Sequence, residues 1–269
     1  MCIAAWNWQA HPVYRFLLLF NRDEYYSRPT KPVGWWGEGH QKILGGRDEL
    51  GGGTWLGCTK NGRLAFLTSV SEPDSLPGAR TRGELPLRFL KSTKSPLEFA
   101  EDIVREANQY DGFNLICSDL CSKTMVCISN RPKDEPVSIK VVSPGLHVLS
   151  NATLDTPWPK AQRLARNFSE LLKRHGEEEI PEKEMVEELM GDTVKADKDK
   201  LPNTGCDSEW EFGFSSIFVD LDTKLGRCGT RSMAAVSVKT NGEVNFYEKY
   251  LESSLWKEHN FQYCIEKSS

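Results

Sequence analysis

The N-terminal part of the chain contains two apolar runs separated by only four residues, and this arrangement constrains the fold more than any other feature. The runs are Cys2–Trp8 and Val13–Phe20, and the connection between them reads Gln-Ala-His-Pro. A connection this short joins antiparallel strands, because parallel strands need a crossover of a dozen residues or more. The chain therefore begins with a β-hairpin, and its fold must contain an antiparallel sheet that includes this hairpin.

The hairpin brings chemically active groups to one end of the sheet. The prediction pairs Trp8 with Val13. In that register Cys2 lies opposite the region of Leu19, and the segment 21–24 (Asn-Arg-Asp-Glu) follows beside the N-terminus, since paired residues lie ~4.5–5.5 Å apart. A register that differs by one residue preserves this proximity.

These groups have a chemical use at the start of a chain. Removal of Met1 would make Cys2 the first residue, and its α-amine, which titrates near ~7.7–8.0, could accept the thiol proton. A thiol with an ordinary pKa of ~8.5 beside that amine and Arg22 is expected to be partly thiolate at neutral pH. Asp23 would orient the amine. The alternative is that Cys2 is a small buried residue at a strand start and that segment 21–24 is a solvated turn.

The remaining chain contains strand-like runs grouped in blocks, with helical patterns inserted between the blocks. Further strands are predicted at Ile43–Gly46, Thr54–Cys58, Leu64–Ser69, Phe113–Ser118, Thr124–Ser129, Val137–Val142, Leu146–Ser150, Ser215–Asp220, Arg231–Lys239 and Val244–Tyr250. Helices are predicted at Gly83–Lys91, Pro96–Gln109, Pro159–His175 and Glu182–Met190. Such grouping favours a layered α+β fold. The prediction is one domain over residues 1–269, with an exposed polar excursion near 191–208 and a docked C-terminal tail.

Composition restricts the class of partner. The net charge of −4 and the lack of a long basic stripe argue against nucleic acid. The longest apolar run, Phe16–Phe20, is far shorter than the ~18 residues of a membrane span, so no integral membrane segment and no secretory signal are predicted. Cys117, Cys121 and Cys127 match no zinc spacing and are interpreted as buried free thiols, so no metal site is predicted.

Ordered motifs along the whole chain resemble those of the NRDE family, also called the transport and Golgi organization 2 family. The matching stretches are MCIAAW, FNRDE (20–24), GGRDELGGGTWLG (45–57), NGRLAFLT (61–68), TRGEL (81–85), LSNATLDTPWPK (149–160) and GTRSMAAV (229–236). The resemblance implies the fold of the N-terminal-nucleophile hydrolases of the cholylglycine hydrolase and penicillin acylase branch, a four-layer αββα sandwich with antiparallel sheets. Such enzymes cleave linear amides with a terminal nucleophile, which removal of Met1 would expose here.

The same resemblance implies roles for individual residues. The implied catalytic residues are Cys2 as nucleophile, Asp23 holding the terminal amine, Asn151 on the substrate or oxyanion side, and Arg231 near the nucleophile. The implied substrate-binding residues are Asn21, Arg22, Ser69 and Arg82. Ser69 stands where the family usually has Asn, whose amide helps form the oxyanion hole in the hydrolases. Losing one such donor lowers the rate on the order of 10²–10³-fold.

Two functions remain open at this point. One is a Cys2-dependent hydrolase of linear amides or acyl thioesters. The other is a Golgi organisation and protein secretion factor of the cytoplasm, the Golgi or mitochondria, whose pocket handles haem or an acyl lipid without turnover. Neither requires a cofactor. His11, His40 and His147 are candidate haem ligands, although isolated histidines are more often structural. The serine at position 69 favours the second function.

Overall fold

The computed structural model describes residues 2–37 and 42–266 of the chain. The strands are β1 (Cys2–Trp8), β2 (Tyr14–Tyr25), β3 (Thr30–Trp36), β4 (Ile43–Asp48), β5 (Leu56–Thr59), β6 (Arg63–Ser69), β7 (Phe113–Asp119), β8 (Thr124–Ser129), β9 (Ser138–Val141), β10 (Gly145–Leu149), β11 (Asp220–Thr223), β12 (Gly226–Lys239), β13 (Glu243–Glu252) and β14 (Leu255–Cys264). The helices are α1 (Glu84–Lys91), α2 (Pro96–Val104), α3 (Pro159–His175), α4 (Glu182–Met185, continued by a π-helical turn over Val186–Met190) and α5 (Ser208–Gly213).

The described residues form two compact units. Unit 1 comprises those of 1–27, 144–150 and 154–263, and unit 2 comprises those of 28–143, 151–153 and 264–269. The single domain over residues 1–269 stays a prediction. Among the described helices, none combines the length and apolarity that a membrane span requires.

Unit 1 is built on an antiparallel sheet in the order β10-β1-β2-β12-β13-β14, with β11 paired to β12. Helices α3 and α4 pack on one face of this sheet and bury a core with it. The helix α3 begins and ends as predicted, with Pro159 in its first turn and Gly176 after it at φ 61°. Its buried side chains recur three or four residues apart, and burying each large one stabilises the fold by about 1.5–3 kcal/mol.

The N-terminal hairpin is present, but its predicted register is wrong. Cys2 pairs with Arg22 and Trp8 pairs with Phe16, so the loop is longer than expected. The loop closes locally because the ring Nδ1 of His11 accepts the N–H groups of Val13 and Tyr14. Strand β2 then continues to Tyr25, so segment 21–24 is strand rather than a solvated turn, and its residues 21–23 are buried.

Unit 2 is built on an antiparallel meander in the order β3 to β9, with α1 and α2 packed on it around their own core. The helix α2 starts at Pro96 as predicted but ends at Val104 rather than Gln109, and Ser95 and Glu98 form a capping box at its start. Strand β3 is absent from the prediction because Pro32 interrupts its pattern. Proline is tolerated there because β3 is an edge strand with a register shift.

The structure bears on three further predictions, which concern the C-terminal tail, one strand and the cysteines. The tail forms β14 at the edge of the unit 1 sheet, and its docking stays a prediction. The predicted strand Ser215–Asp220 is wrong over most of its length, because its backbone groups bond to loops and side chains, as when Phe218 N–H donates to Asp192 O at 2.7 Å. Among the three cysteines interpreted as buried, Cys121 is exposed.

Candidate functional site

Three neighbouring strands bring four of the predicted residues together in unit 1. Cys2 in β1 lies directly opposite Arg22 in β2, and Asp23 lies opposite Thr230 in β12. A β-bulge in β12 follows Thr230 and contains Arg231. Bulges add a residue to one strand and change the direction of its side chain, and they are common beside active sites.

The carboxylate of Asp23 is buried and fixed by hydrogen bonds. The hydroxyl of Thr230 donates to Asp23 Oδ1 at 2.7 Å, and the same hydroxyl oxygen accepts the N–H of Val219 at 2.9 Å. Burial raises the pKa of Asp23 to about 6, and the positive charges of Lys160 and Lys195 act in the opposite direction. The carboxylate therefore lies in one defined orientation at the end of β1.

The thiol of Cys2 is also buried, with 8% of the residue exposed. Burial raises the pKa of this thiol, and the charge of Asp23 raises it further, whereas the N–H of Asp23 bonded to the sulfur and the Arg22 guanidinium lower it. The net direction is upward, so the expectation of a partly ionised thiol is wrong. Desolvation, which the sequence did not reveal, outweighs the nearby positive charge. The hydroxyl of Ser150 donates to the Cys2 carbonyl oxygen at 3.3 Å.

Lys160 is a functional candidate that the sequence analysis did not single out. It is 3% exposed and occupies the second position of α3, on the same side as the buried Leu164 and Phe168. Burial lowers the pKa of Lys160 to about 8, and the charges of Asp23 and Cys2 oppose this shift. The signal was present in the spacing 160, 164, 168, which places a lysine on the apolar face of a predicted helix. We call Cys2, Asp23, Lys160 and Thr230 the Cys2 cluster.

A second lysine reaches the Cys2 cluster from the segment that was predicted to be an exposed excursion. Most of residues 191–208 are exposed or partly exposed, whereas Lys195 is partly buried and Ala196 is buried. The ammonium of Lys195 donates to Gly213 O and, at 3.1 Å, to Ser216 Oγ. Burial lowers its pKa, and the charge of Asp23 raises it. The excursion is therefore anchored to unit 1 at this point.

Asn21 lies beside the Cys2 cluster but is wholly buried. Its side-chain amide donates to the carbonyl oxygens of Met190 at 2.9 Å and Ile217 at 3.0 Å. These bonds use both hydrogens of the amide and fasten two chain segments to β2. A role of Asn21 in substrate binding stays a prediction.

The two arginines of unit 1 that were predicted as site residues differ in their surroundings. Arg22 is buried, and its Nη2 lies 3.8 Å from Glu24 Oε2. Arg231 is half-buried, and its Nη1 donates to Tyr25 O at 3.2 Å. Burial lowers the pKa of Arg231, while Glu24 opposes the shift. Both lie at the strand ends that carry Asp23, and the roles that the family resemblance implies for them stay predictions.

The remaining predicted residues, Ser69, Arg82 and Asn151, lie together in unit 2, and we call them the Asn151 cluster. The amide of Asn151 donates to Ser69 O at 2.9 Å, and Ser71 N–H donates to Asn151 O at 2.8 Å. Arg82 Nη1 donates to Gly112 O at 2.9 Å. These bonds fix main-chain carbonyls around the end of β6. Oxyanion and substrate roles for this cluster stay predictions.

The histidines considered as haem ligands have local partners where they are described. His147 Nδ1 lies 2.8 Å from Asp155 Oδ2, and its ring lies 5.5 Å from that of Trp6. His11 closes the hairpin loop, as described above. His40, like Met1, lies outside the described residues. Within residues 2–37 and 42–266, no group of three or more His, Cys, Asp or Glu is arranged to hold a metal ion.

A groove in unit 2 does not coincide with any of these residues. Its volume is about 680 Å³, and residues of the segments 72–77, 104–110 and 130–137 line it. None of the predicted site residues contributes to this lining. The candidate chemistry is therefore assigned to the Cys2 cluster rather than to this groove.

Comparison with known proteins gives strong matches along the sequence. The family model described as Transport and Golgi organisation 2 matches residues 1–253. The Transport and Golgi organization 2 homolog of Mus musculus is 34% identical over 282 residues, which cover 99% of this chain and 100% of the relative. The Homo sapiens homolog is 32% identical over 282 residues, with the same coverage of 99% and 100%.

Two solved structures share the fold. They are a mutant and a variant of conjugated bile acid hydrolase from Clostridium perfringens, with TM-scores of 0.53 and 0.51. Each is 11% identical to this chain, and the matches cover 98% and 94% of both chains. Identity this low shows the fold alone. The shared fold confirms the predicted α+β fold class of N-terminal-nucleophile hydrolase type.

Proposed function

The chain belongs to the Transport and Golgi organisation 2 family, and from this premise we propose that Cys2 acts as the nucleophile on a linear amide or an acyl thioester. One observation carries the proposal. Cys2 pairs with Arg22 at the end of β1, and the next residue, Asp23, has a buried carboxylate that accepts the hydroxyl of Thr230 at the same strand end. A thiol beside an oriented carboxylate at the start of a chain is what an N-terminal nucleophile needs.

The reaction follows from these groups once Met1 has been removed. The Cys2 α-amine takes the thiol proton while the sulfur attacks the substrate carbonyl carbon, and the Asp23 carboxylate holds that amine in place. The leaving nitrogen or sulfur takes the proton as its bond to the carbonyl carbon breaks, which leaves an acyl group on Cys2 as a thioester. Water then hydrolyses this thioester and returns a proton to the thiol.

Because the pKa of the Cys2 thiol is raised, the thiol keeps its proton until the substrate carbonyl is attacked. A resting thiol that is neutral does not attack by itself, since the thiolate is the nucleophile. Proton transfer to the amine therefore accompanies the attack, as in serine and threonine systems that use an adjacent base. In the cell we propose that this chemistry serves Golgi organisation and protein secretion.

The second candidate is a binding protein that holds haem or an acyl lipid without turnover. Two features favour it: the protonated resting thiol, and the serine at position 69 where the family usually has Asn. A thiol that stays protonated presents an apolar, unreactive surface to a bound acyl chain. This candidate requires reversible binding and no covalent intermediate.

The test uses p-nitrophenyl octanoate as an acyl donor, with release of p-nitrophenolate for the rate and intact mass for the covalent product. We expect a protein without Met1 that gains one octanoyl group on its N-terminal peptide. The Cys2→Ala variant should lose this adduct, whereas Cys264→Ala, which removes an exposed thiol, should retain it.

The opposite result is equally definite. Retention of Met1, or an unmodified Cys2 in the wild-type protein, contradicts the nucleophile proposal. Titration with haem and with octanoyl-CoA, followed by absorbance and tryptophan fluorescence, then tests the second candidate. Saturable spectral change without a mass increase supports reversible binding, and no change with either ligand contradicts it.

A further inference from the structure

Lys160 occupies a position that three physical effects disfavour. It is 3% exposed, and lysine is almost never buried to this extent unless its charge is paired. It lies in the first turn of α3, where the helix dipole favours negative rather than positive charge. The positive charge of Lys195 also disfavours a positive charge on Lys160. Local rules are commonly broken in this way at functional sites.

The compensating charge comes from the site itself. Leu17 and Leu19 of β2 share a core with Leu164 of α3, and Asp23 lies on the same face of β2 because alternate residues of a strand share a face. Asp23 therefore lies on the side of the sheet that α3 covers, and the charges of Asp23 and Lys160 each favour the charged form of the other. We propose that Lys160 is a positioning residue for Cys2. Its ammonium keeps the buried Asp23 ionised, so that the carboxylate can hold the Cys2 α-amine. This inference rests on the proposed function.

The N-terminal amine also favours the ionised form of Asp23, but this amine must be neutral to take the Cys2 proton, which leaves the task to Lys160. The other neighbouring groups with charge or titrating protons are the Cys2 thiol on β1, Arg22 and Glu24 on β2 itself, the Cys228 thiol and Arg231 on β12, and Lys195 on the loop after α4 and its π-helical turn. Lys195 already donates to Gly213 and Ser216. The Thr230 hydroxyl bonds to Asp23 but carries no charge. Lys160 is the lysine that is fully removed from solvent, where Coulomb interactions are least screened.

Protonation of Asp23 would change its chemistry. A carboxylate only accepts hydrogen bonds, whereas a protonated carboxyl is also a donor and loses acceptor capacity. A neutral Asp23 would no longer attract or orient the amine that receives the Cys2 proton. Lys160 therefore influences the reaction through Asp23, without contact with the reacting atoms being required.

The direct test is the titration of the Asp23 carboxyl carbon by NMR in the full-length protein, assigned with Asp23→Asn. Lys160→Met should raise the titration midpoint of Asp23 by about one to three pH units, since an adjacent opposite charge typically shifts a carboxyl by that amount. Lys160→Arg should restore the wild-type midpoint. The control Lys239→Met removes a lysine of β12 that pairs with Glu179 and Glu243, and should leave the midpoint unchanged.

Lys160→Gln replaces Lys160→Met if circular dichroism shows that the latter is unfolded. An unchanged Asp23 midpoint in the folded neutral variant overturns the inference, as does an arginine variant that behaves like methionine. The second readout is the pH profile of Cys2 octanoylation, whose acid limb should move with the Asp23 midpoint and return in Lys160→Arg. A moved midpoint with an unmoved acid limb overturns the positioning role.

The two proposals fail in different ways. Wild-type Cys2 that is inert at every pH contradicts the nucleophile proposal. The NMR midpoint decides in that case, too, whether Lys160 keeps Asp23 ionised. Conversely, reactive Cys2 with an Asp23 midpoint independent of Lys160 retains the nucleophile proposal and overturns the inference.

Discussion

The Cys2 cluster of unit 1 and the Asn151 cluster of unit 2 contain residues implied by the same family resemblance, but their physical character differs. The Cys2 cluster buries three ionisable side chains. Burial shifts the pKa of each in the direction that favours its neutral form. The Asn151 cluster uses an amide and a guanidinium to bind main-chain carbonyls of Ser69 and Gly112. The first arrangement opposes stability, and the second contributes to it.

The difference indicates where chemistry is placed. Burial of charge is retained only where it is compensated or useful, and perturbed titratable groups concentrate at functional sites. Hydrogen bonds from buried side chains to backbone carbonyls are common throughout proteins and mark fixed loops. We therefore assign the reacting groups to unit 1 and loop positioning to unit 2, and the following variants are chosen to break or sharpen that contrast.

The largest effect is expected in the pH dependence of the free energy of unfolding. Asp23 has a folded pKa of about 6, above the unfolded value, so stability is lost as the pH rises from about 4 to 6. Lys160 has a folded pKa of about 8, below the unfolded value, so stability is regained between about 8 and 10.4. Each change should be on the order of 3 kcal/mol, at 1.36 kcal/mol per unit of pKa.

Urea unfolding between pH 4 and pH 10 measures this minimum of stability. The double variant Asp23→Asn, Lys160→Met has neither titrating group and should not show the two changes. A wild-type curve that matches that of the double variant would mean that the Cys2 cluster does not differ electrostatically from the Asn151 cluster.

The next effect concerns the rate at which Cys2 is acylated. Asp23→Asn should lower the rate of octanoylation at pH 7.5 by about 100-fold, because displacement of a catalytic group by about 1 Å has effects of that size. Asp155→Asn is the control in the same unit, since its carboxylate accepts the N–H of Val148 and pairs with His147. Equal rates in the two variants would remove Asp23 from the proposed mechanism.

Asn151→Ala is expected to act mainly on stability. It leaves the Ser69 carbonyl without the amide that binds it, and a buried polar group left in this way lowers stability by about 1–3 kcal/mol. Asn130→Ala is a matched control, because that buried amide also binds main-chain carbonyls of unit 2. Chemical denaturation should give similar losses for both. A fall of 10²–10³-fold in octanoylation by fully folded Asn151→Ala would instead assign it to the oxyanion.

The sequence predicts much of the local structure because periodicity is local information. The bounds of β1 and α3 and the start of α2 at Pro96 all follow from side-chain spacing and cap residues. The hairpin itself follows from loop length, but its register does not. That register depends on the hydrogen bonds that His11 Nδ1 accepts from the backbone N–H groups of Val13 and Tyr14, where the second strand begins.

The sequence predicted Cys2 and Asp23 of the Cys2 cluster, but neither Lys160 and Thr230 nor the electrostatics of the cluster. Cys2, Asp23 and Arg231 come together because β2 pairs with both β1 and β12, a long-range fact that the family resemblance supplied. The direction in which burial moves the Cys2 pKa requires knowledge of what covers it. Lys160 could have been found from its place on an apolar helix face. Lys195 could not, because its position depends on the tertiary path of segment 191–208.

The smallest effect is expected for Arg82, where the contrast is weakest. Arg82→Met removes one hydrogen bond to Gly112 O, but the N–H of Val70 still donates to that oxygen at 2.9 Å. The carbonyl therefore stays satisfied, and the loss should be about 0.5–1.5 kcal/mol by chemical denaturation. Arg105→Met, whose side chain is 80% exposed, should change stability by less than about 0.5 kcal/mol. A fall in Cys2 octanoylation in Arg82→Met, without loss of folded protein, would assign Arg82 to the substrate, and the proposed division between the two clusters would then be wrong.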